Sequence, residues 1–163
     1  MSSFDRRTLL LMPLALAACG FEPVYAPGGA GSALYGKVAV SAPNSVTSYL
    51  LIENLEQRLG RSATSGNEYN LDVSVRTRRV SAAITTTNET NRYTINGTAN
   101  YSLRSNATGQ IVASGTVTDF VGYSAAGSTV STLADERDAN QRLMVILSDQ
   151  IINRLYATPG LSA

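Results

Sequence analysis

Few side chains in this sequence can do chemistry, and the gaps are as informative as the groups present. There is no histidine and there is a single cysteine, Cys19. That removes histidine-based triads, histidine metal sites, cysteine clusters and any internal disulfide. A thiol and a set of guanidinium groups remain. Arg76, Arg78, Arg79 and Arg92 crowd one stretch of a chain whose formal net charge is only +1. An arginine fork matches a phosphate bidentately, so a local cluster of this kind is a candidate phosphate site. The same charges would also serve as solubilising guards along sheet edges. Asp72 and Asp119 could suggest a paired-carboxylate mechanism. No acid/base partner is in view for either, so an ion pair with a nearby arginine is their expected use. Gly28-Gly29-Ala30-Gly31 is glycine-rich but precedes no expected helix, so it is not read as a phosphate loop. An enzyme, and a metal or organic cofactor, are therefore not expected.

The thiol has a distinctive setting. Arg6 and Arg7 form a positive n-region, and Thr8 to Ala18 form an apolar stretch too short to span a hydrocarbon core of about 30 Å. Leu16-Ala17-Ala18-Cys19 follows at once and resembles the lipobox of bacterial lipoproteins. The resemblance implies cleavage before Cys19, a diacylglycerol on its thiol and an acyl chain on the new amino terminus. A plain signal peptide cut at an Ala-x-Ala-like site would leave the cysteine incidental, yet the only cysteine sits where the lipobox requires it. In the lipoprotein sorting scheme an aspartate after the cysteine retains the protein in the inner membrane. Here Gly20 follows, which favours the outer membrane, periplasmic side. The arginine pair also resembles a twin-arginine signal, but the general secretory route is preferred because such pairs are common in n-regions. Two or three acyl chains anchor a protein stably where one does not.

The elements that position the arginines come next. Pro23, Pro27, Gly28, Gly29 and Gly31 mark an extended spacer. The chain thus divides into a signal peptide (1–18), a lipidated N-terminus with flexible tether (19–33) and one domain (34–163). Leu34 to Val40 is a short strand candidate. Asn44 or Ser45 suits a helix N-cap, and Leu51, Leu55 and Leu59 with Ile52 make one apolar face of a helix from Val46 to Leu59, closed by Gly60. The period then changes to two. Tyr69 to Val80, Arg92 to Arg104 and Ile111 to Tyr123 alternate as half-buried antiparallel strands, joined by turns at Thr85 to Thr90 and Asn106 to Gly109. Within the third, Phe120 breaks the parity of Ala113 and Val117, and a bulge near Gly115 would account for it. A last helix, with a capping-box relative at Thr132 and Asp135, carries Leu143, Met144, Leu147, Ile151 and Leu155 as a stripe and stops at Pro159-Gly160. The expected fold class is α+β, in the order β-α-β-β-β-α, with both helices on one face of a single sheet. By parity Arg76 and Arg78 share a face, as do Arg92 and Arg104, and pairing as a hairpin would bring the first group near Arg92.

Composition agrees with a packed domain. The chain of 163 residues is 44% hydrophobic and 15% charged, which excludes a disordered chain, and its near-neutral charge excludes a generic polyanion binder. The outward positions of the strands are dense in Thr, Ser and Asn.

Ala18-Cys19-Gly20-Phe21-Glu22-Pro23-Val24-Tyr25 resembles the start of mature lipopolysaccharide-assembly lipoproteins, the family called LptE, and the element order is similar across nearly the whole mature chain. The resemblance implies two helices on a four-stranded mixed, mostly antiparallel sheet. It implies no enzyme activity, and as partner the outer-membrane β-barrel of the lipopolysaccharide translocon (LptD-like). The lipoprotein would plug that barrel, assist its assembly and contact lipopolysaccharide. Arg76, Arg78, Arg79 and Arg92 would then be the candidate contacts to its phosphates. Two other readings stay open: a lipid-binding carrier lipoprotein, and an accessory subunit of another outer-membrane machine.

Overall fold

The structure is a computed structural model that describes residues 29–60, 68–84, 90–125 and 128–161. In chain order its elements are α1 (Ala30–Leu34), β1 (Val38–Val40), α2 (Val46–Leu59), β2 (Tyr69–Ile84), β3 (Thr90–Ser105), β4 (Ile111–Ser124) and α3 (Thr129–Tyr156). The strands form one sheet in the order β1-β2-β3-β4. β1 runs parallel to β2, and the remaining pairs are antiparallel. This is the mixed α+β sheet expected from the sequence.

Alternation decides which face is covered. Along β3, Ile95, Gly97, Ala99, Tyr101 and Leu103 are buried, while Arg92, Asn96, Asn100 and Arg104 are exposed. α2 and α3 lie over the buried side and pack on each other. α2 contributes Leu51, Ile52, Leu55 and Leu59. Its start is fixed by a reciprocal serine cap. The Ser48 N–H donates to Ser45 Oγ (3.1 Å) and the Ser45 N–H donates to Ser48 Oγ (2.8 Å), so two donors at the helix start are satisfied. Gly60 then ends the helix with φ of 73°, a conformation that an L side chain resists.

α3 supplies a stripe from Ala139 to Leu155. It comes so close to β3 that Gly97 has no room for a side chain. A Cβ there would stand 3.0 Å from Leu143 Cδ2 and from Leu147 Cδ1. The two leucines fill the place that a β3 side chain would take.

Several boundaries differ from the sequence reading. Residues 30–34 form a helical turn, although the spacer was expected to run to residue 33, and Leu34 is fully buried. Ala30 and Gly31 of the glycine-rich run therefore lie within a helix, but one of only five residues with no side-chain cap. α3 starts one turn earlier than expected, capped by Ser128, whose Oγ accepts from the Ser131 N–H (3.3 Å). No bulge occurs at Gly115. The β3–β4 register is continuous from Leu103↔Ala113 to Arg92↔Ser124, and its one shift lies beside the turn, between Leu103 and Arg104. Val121 and Tyr123 keep the buried parity, and Phe120 points to the uncovered face, 65% exposed. Gly115 is small because the Tyr101 ring lies against it; an added Cβ would be 2.9 Å from Tyr101 Oη.

Leu147 is completely buried and faces Gly97. Leu147→Ala is expected to lower unfolding free energy by about 2–5 kcal/mol. Denaturant titration checks this, and loss of partner binding with an unchanged midpoint would place Leu147 at an interface instead.

Candidate functional site

No described element covers the second face of the sheet, and this face holds the free cations. On β2, Arg76 and Arg78 stand opposite Thr98 and Asn96 of β3. Arg92 pairs with Ala83 on one side and Ser124 of β4 on the other. All three are exposed. Among the described residues they make no ion pair or hydrogen bond. Arg92 lies two open-face pairs nearer the hairpin tip than Arg78, beyond Val80↔Thr94, so the arginines form a line along the hairpin and not a tight cluster.

Polar partners organise the surrounding lattice. Thr116 Oγ1 donates to Asn100 Oδ1 across β3 and β4 (2.7 Å), and Asn70 Nδ2 donates to Asn106 Oδ1 (2.8 Å). Arg104 Nη1 donates to the Gly109 carbonyl (2.8 Å) and is tied into the β3–β4 turn. Phe120 completes the row Arg78–Asn96–Phe120 across three strands. Its exposure is legible in the alternation, which the sequence reading replaced with a bulge because a phenylalanine is ordinarily an inward residue.

Arg79 does not belong to this line. Its odd position turns it to the helix side, where Nη1 bonds Glu136 Oε2 of α3 at 3.0 Å. Its guanidinium lies 5.1 Å from the Tyr93 ring centre, a cation–π distance. Tyr93 in turn stacks on Tyr123, with centres 5.5 Å apart and planes inclined by 21°. The stack and ion pair thus stand together on the helix side of the sheet. Beside them is a cleft of about 310 Å³ between the first turn of α2, α3 and the middle of β2 and β3. Leu50 and Ile95 give it apolar wall, and Arg79, Glu136 and Arg137 give it charge.

Tyr123 Oη is buried close to the Arg79–Glu136 pair, without a hydrogen bond of good geometry to either. Burial holds its phenol above the ordinary value of 10.0, and the Arg79 charge, which pulls the other way, does not cancel this.

The acids are not used as expected. Asp72 stands on the open face opposite Ser102, and no arginine pairs with it among the described residues. Asp119 faces the helices, where Oδ2 accepts from Gln150 Nε2 (2.6 Å) and Oδ1 from the Phe120 N–H (2.8 Å). Amide and backbone donors have taken the place of the anticipated arginine. Among the described residues no three His, Cys, Asp or Glu side chains gather as metal ligands, and no helix is long and apolar enough to cross a membrane. Cys19 lies outside the described residues.

A one-sided α+β sheet whose bare face is dominated by guanidinium, hydroxyl and amide groups, with Asp72 and the Phe120 ring among them, has the surface of a binding or assembly protein. The sequence profile of the lipopolysaccharide-assembly family LptE matches residues 35–155, and the chain belongs to that family. The family comprises non-enzymatic, cofactor-independent lipoproteins that act in lipopolysaccharide assembly and are associated with the outer membrane. Solved structures share the fold. A lipoprotein of Caulobacter crescentus superposes with a TM-score of 0.66 at 22% identity, covering 81% of this chain and 96% of its own. Rare lipoprotein B of Shewanella oneidensis gives 0.57 at 11% identity, covering 75% and 93%. A minor lipoprotein of Acinetobacter baumannii gives 0.56 at 18% identity, covering 76% and 92%. No curated protein sequence matches the chain significantly.

The Tyr123 environment makes a pH prediction. A phenol whose pKa is raised by folding loses its contribution to stability as pH climbs from about 10 through the folded value. Below that range the contribution is constant. Tyr123→Phe removes the ionising hydroxyl, so the alkaline loss of the denaturant midpoint is expected to shrink. An alkaline loss as large in the Phe variant as in the wild type would show that Tyr123 is not its source.

Proposed function

We propose that this lipoprotein is the plug and assembly partner of the lipopolysaccharide-translocon β-barrel, and that its bare sheet face meets barrel wall and lipopolysaccharide. In this reading residues 1–18 are removed and Cys19, carrying acyl chains and a diacylglycerol, holds the domain to the outer membrane from the periplasmic side. The residues before α1 are the tether. The observation that carries the reading is the uncovered face. It is a polar lattice of Thr, Ser and Asn with free guanidinium groups at Arg76, Arg78 and Arg92. Large barrel lumens are polar, so a plug within one needs a surface of this kind. Lipopolysaccharide headgroups carry phosphates, which arginine forks bind as charge-assisted pairs. Arg79 acts here chiefly as a structural cation, because Glu136 and Tyr93 already hold it.

A lipid carrier is disfavoured by the same architecture. A carrier needs a closed barrel with an open lumen. Here the centre of the covered face of an open four-stranded sheet is filled, with Leu143 and Leu147 against Gly97, and the cleft beside Arg79 is an open surface feature and not a lumen. Co-purification from detergent separates the remaining alternatives: one β-barrel in equal amount supports the plug, and a different machine would bring its own subunits.

Two measurements test the reading. Intact mass of membrane-extracted protein should show a chain beginning at an acylated Cys19; a free thiol or a different first residue overturns the anchor. Replacing Arg76 and Arg78 by Ser should weaken lipopolysaccharide binding most at low ionic strength, where screening is weakest, and leave the melting temperature near wild type. Arg79→Ser should instead lower the melting temperature. Unchanged binding by the Arg76/Arg78 variant at low salt would remove these residues as phosphate contacts.

A further inference from the structure

β2 has two edges. β3 occupies one of them along the strand. β1 occupies only Tyr69 to Leu71 of the other. Ser41 extends the cover by a single step: its N–H donates to the Leu71 carbonyl (2.9 Å), and its Oγ accepts from the Val73 N–H (3.3 Å). Among the described residues the cover stops there.

These contacts fix which backbone groups point outward. The Tyr69 N–H donates to the Lys37 carbonyl (3.1 Å), and Leu71 and Val73 bond on the same side. Odd-numbered residues of β2 therefore direct N–H and C=O away from β3. The register is unbroken as far as Ser81↔Tyr93, so Val75, Thr77, Arg79 and Ser81 present theirs outward as well. Among the described residues none of these groups has a hydrogen-bond partner.

A long free edge is a template for another strand. Proline, a bulge or a covering element ordinarily blunts one. Residues 74–82 contain no proline, and the first register shift comes only after Ser81. The edge carries charge in their place, and the charge discriminates between occupants. Antiparallel pairing of two copies centred anywhere from Arg76 to Arg79 sets an arginine opposite another arginine, because residues 76, 78 and 79 are all Arg. Like charges directly opposite destabilise a pair, and opposite charges favour it. Arg76 and Arg78 have no acidic partner of their own among the described residues.

We propose that the free edge of β2, Ser74 to Ala82, is an interaction surface that takes an extended acidic segment of another polypeptide as a fifth strand. The outward amides and carbonyls supply the ladder. Arg76 and Arg78 select carboxylates on the adjoining face. The inference stands apart from the phosphate reading of the same arginines, because Thr77→Pro deletes an outward edge donor and leaves both guanidinium groups in place. Proline is tolerated on an edge strand where its missing N–H faced solvent, so the β2–β3 ladder survives this change.

The test uses the full lipoprotein in detergent with two synthetic peptides, one alternating Thr and Glu and one alternating Thr and Lys. At low salt the Glu peptide is expected to slow amide exchange at Val75, Thr77 and Arg79 by about tenfold or more, whereas the Lys peptide leaves it unchanged. Thr77→Pro should abolish Glu-peptide binding, and Thr77→Val should retain it. Should the proline variant unfold, the double reversal Arg76→Glu with Arg78→Glu decides, since it should exchange the preference from the Glu to the Lys peptide. The proposal is overturned by absent protection, by full binding to a folded Thr77→Pro variant, or by an unchanged preference after reversal. Protection that rises with protein concentration without peptide would assign the edge to a second copy and overturn it equally.

Discussion

Everything in this fold depends on the burial of one sheet face only. The contact that enforces it is at Gly97, where α3 approaches so closely that Leu143 and Leu147 occupy the space of a side chain. A sheet covered on both faces would need strands of continuous apolar residues. β3 could not supply them, because Thr94, Asn96, Thr98, Asn100 and Ser102 alternate with its core positions. Once α2 and α3 take one side, the other must be wet or meet a polar partner. The packing thus leaves a polar sheet face open to solvent or to a partner.

The same parity sorts the arginines. Positions 76 and 78 point to the open face and 79 to the helices, a difference of one residue that separates free cations from a structural one. Arg79 is held by Glu136 and lies over Tyr93, near the buried end of Tyr123. Other basic groups are likewise spent on architecture. Arg154 Nη1 donates to the Thr116 carbonyl on the outer edge of β4 (2.8 Å), and Arg58 joins α2 to Asp149 of α3 (2.5 Å). With those removed, the guanidinium groups at 76, 78 and 92 stand out as the ones on the open face whose charge the described fold does not use.

How much of this the sequence discloses follows the range of the interaction. Local signals read well: Ser45, Val46 to Leu59 and Gly60 bound α2 where the cap residues and the four-residue apolar spacing put it, and alternation located β2 to β4. The parity of Arg76, Arg78 and Arg92 was legible for the same reason. The Arg79 ion pair is not legible, because its partner is 57 residues away on α3 and no local pattern announces a pairing across that distance. α1 was hidden by glycines that look like a spacer, since its stability comes from burying Leu34 and not from helix propensity. Phe120 looks inward by residue type, and only the period of the strand places it outward. The free edge of β2 was illegible because it depends on how short β1 is, and three residues give almost no periodic signal.

Strand length and helix length then explain why polar function collects at one end. β2 and β3 each hold 16 residues, about 53 Å at strand rise, whereas the 14 residues of α2 reach about 21 Å. α3 is longer, but its buried stripe begins only at Ala139, and Val130 in its first turn is 79% exposed. The hairpin therefore runs well past the part of the sheet that α2 can cover. Over that overhang the side chains at 76 to 82 contribute little to burial, and all are exposed. Substitutions there, Arg79 with its Glu136 and Tyr93 contacts apart, scarcely touch the core. Those at Gly97 or Leu147 are not free, and this division separates the positions that hold the fold from the hairpin positions that can vary without disturbing it.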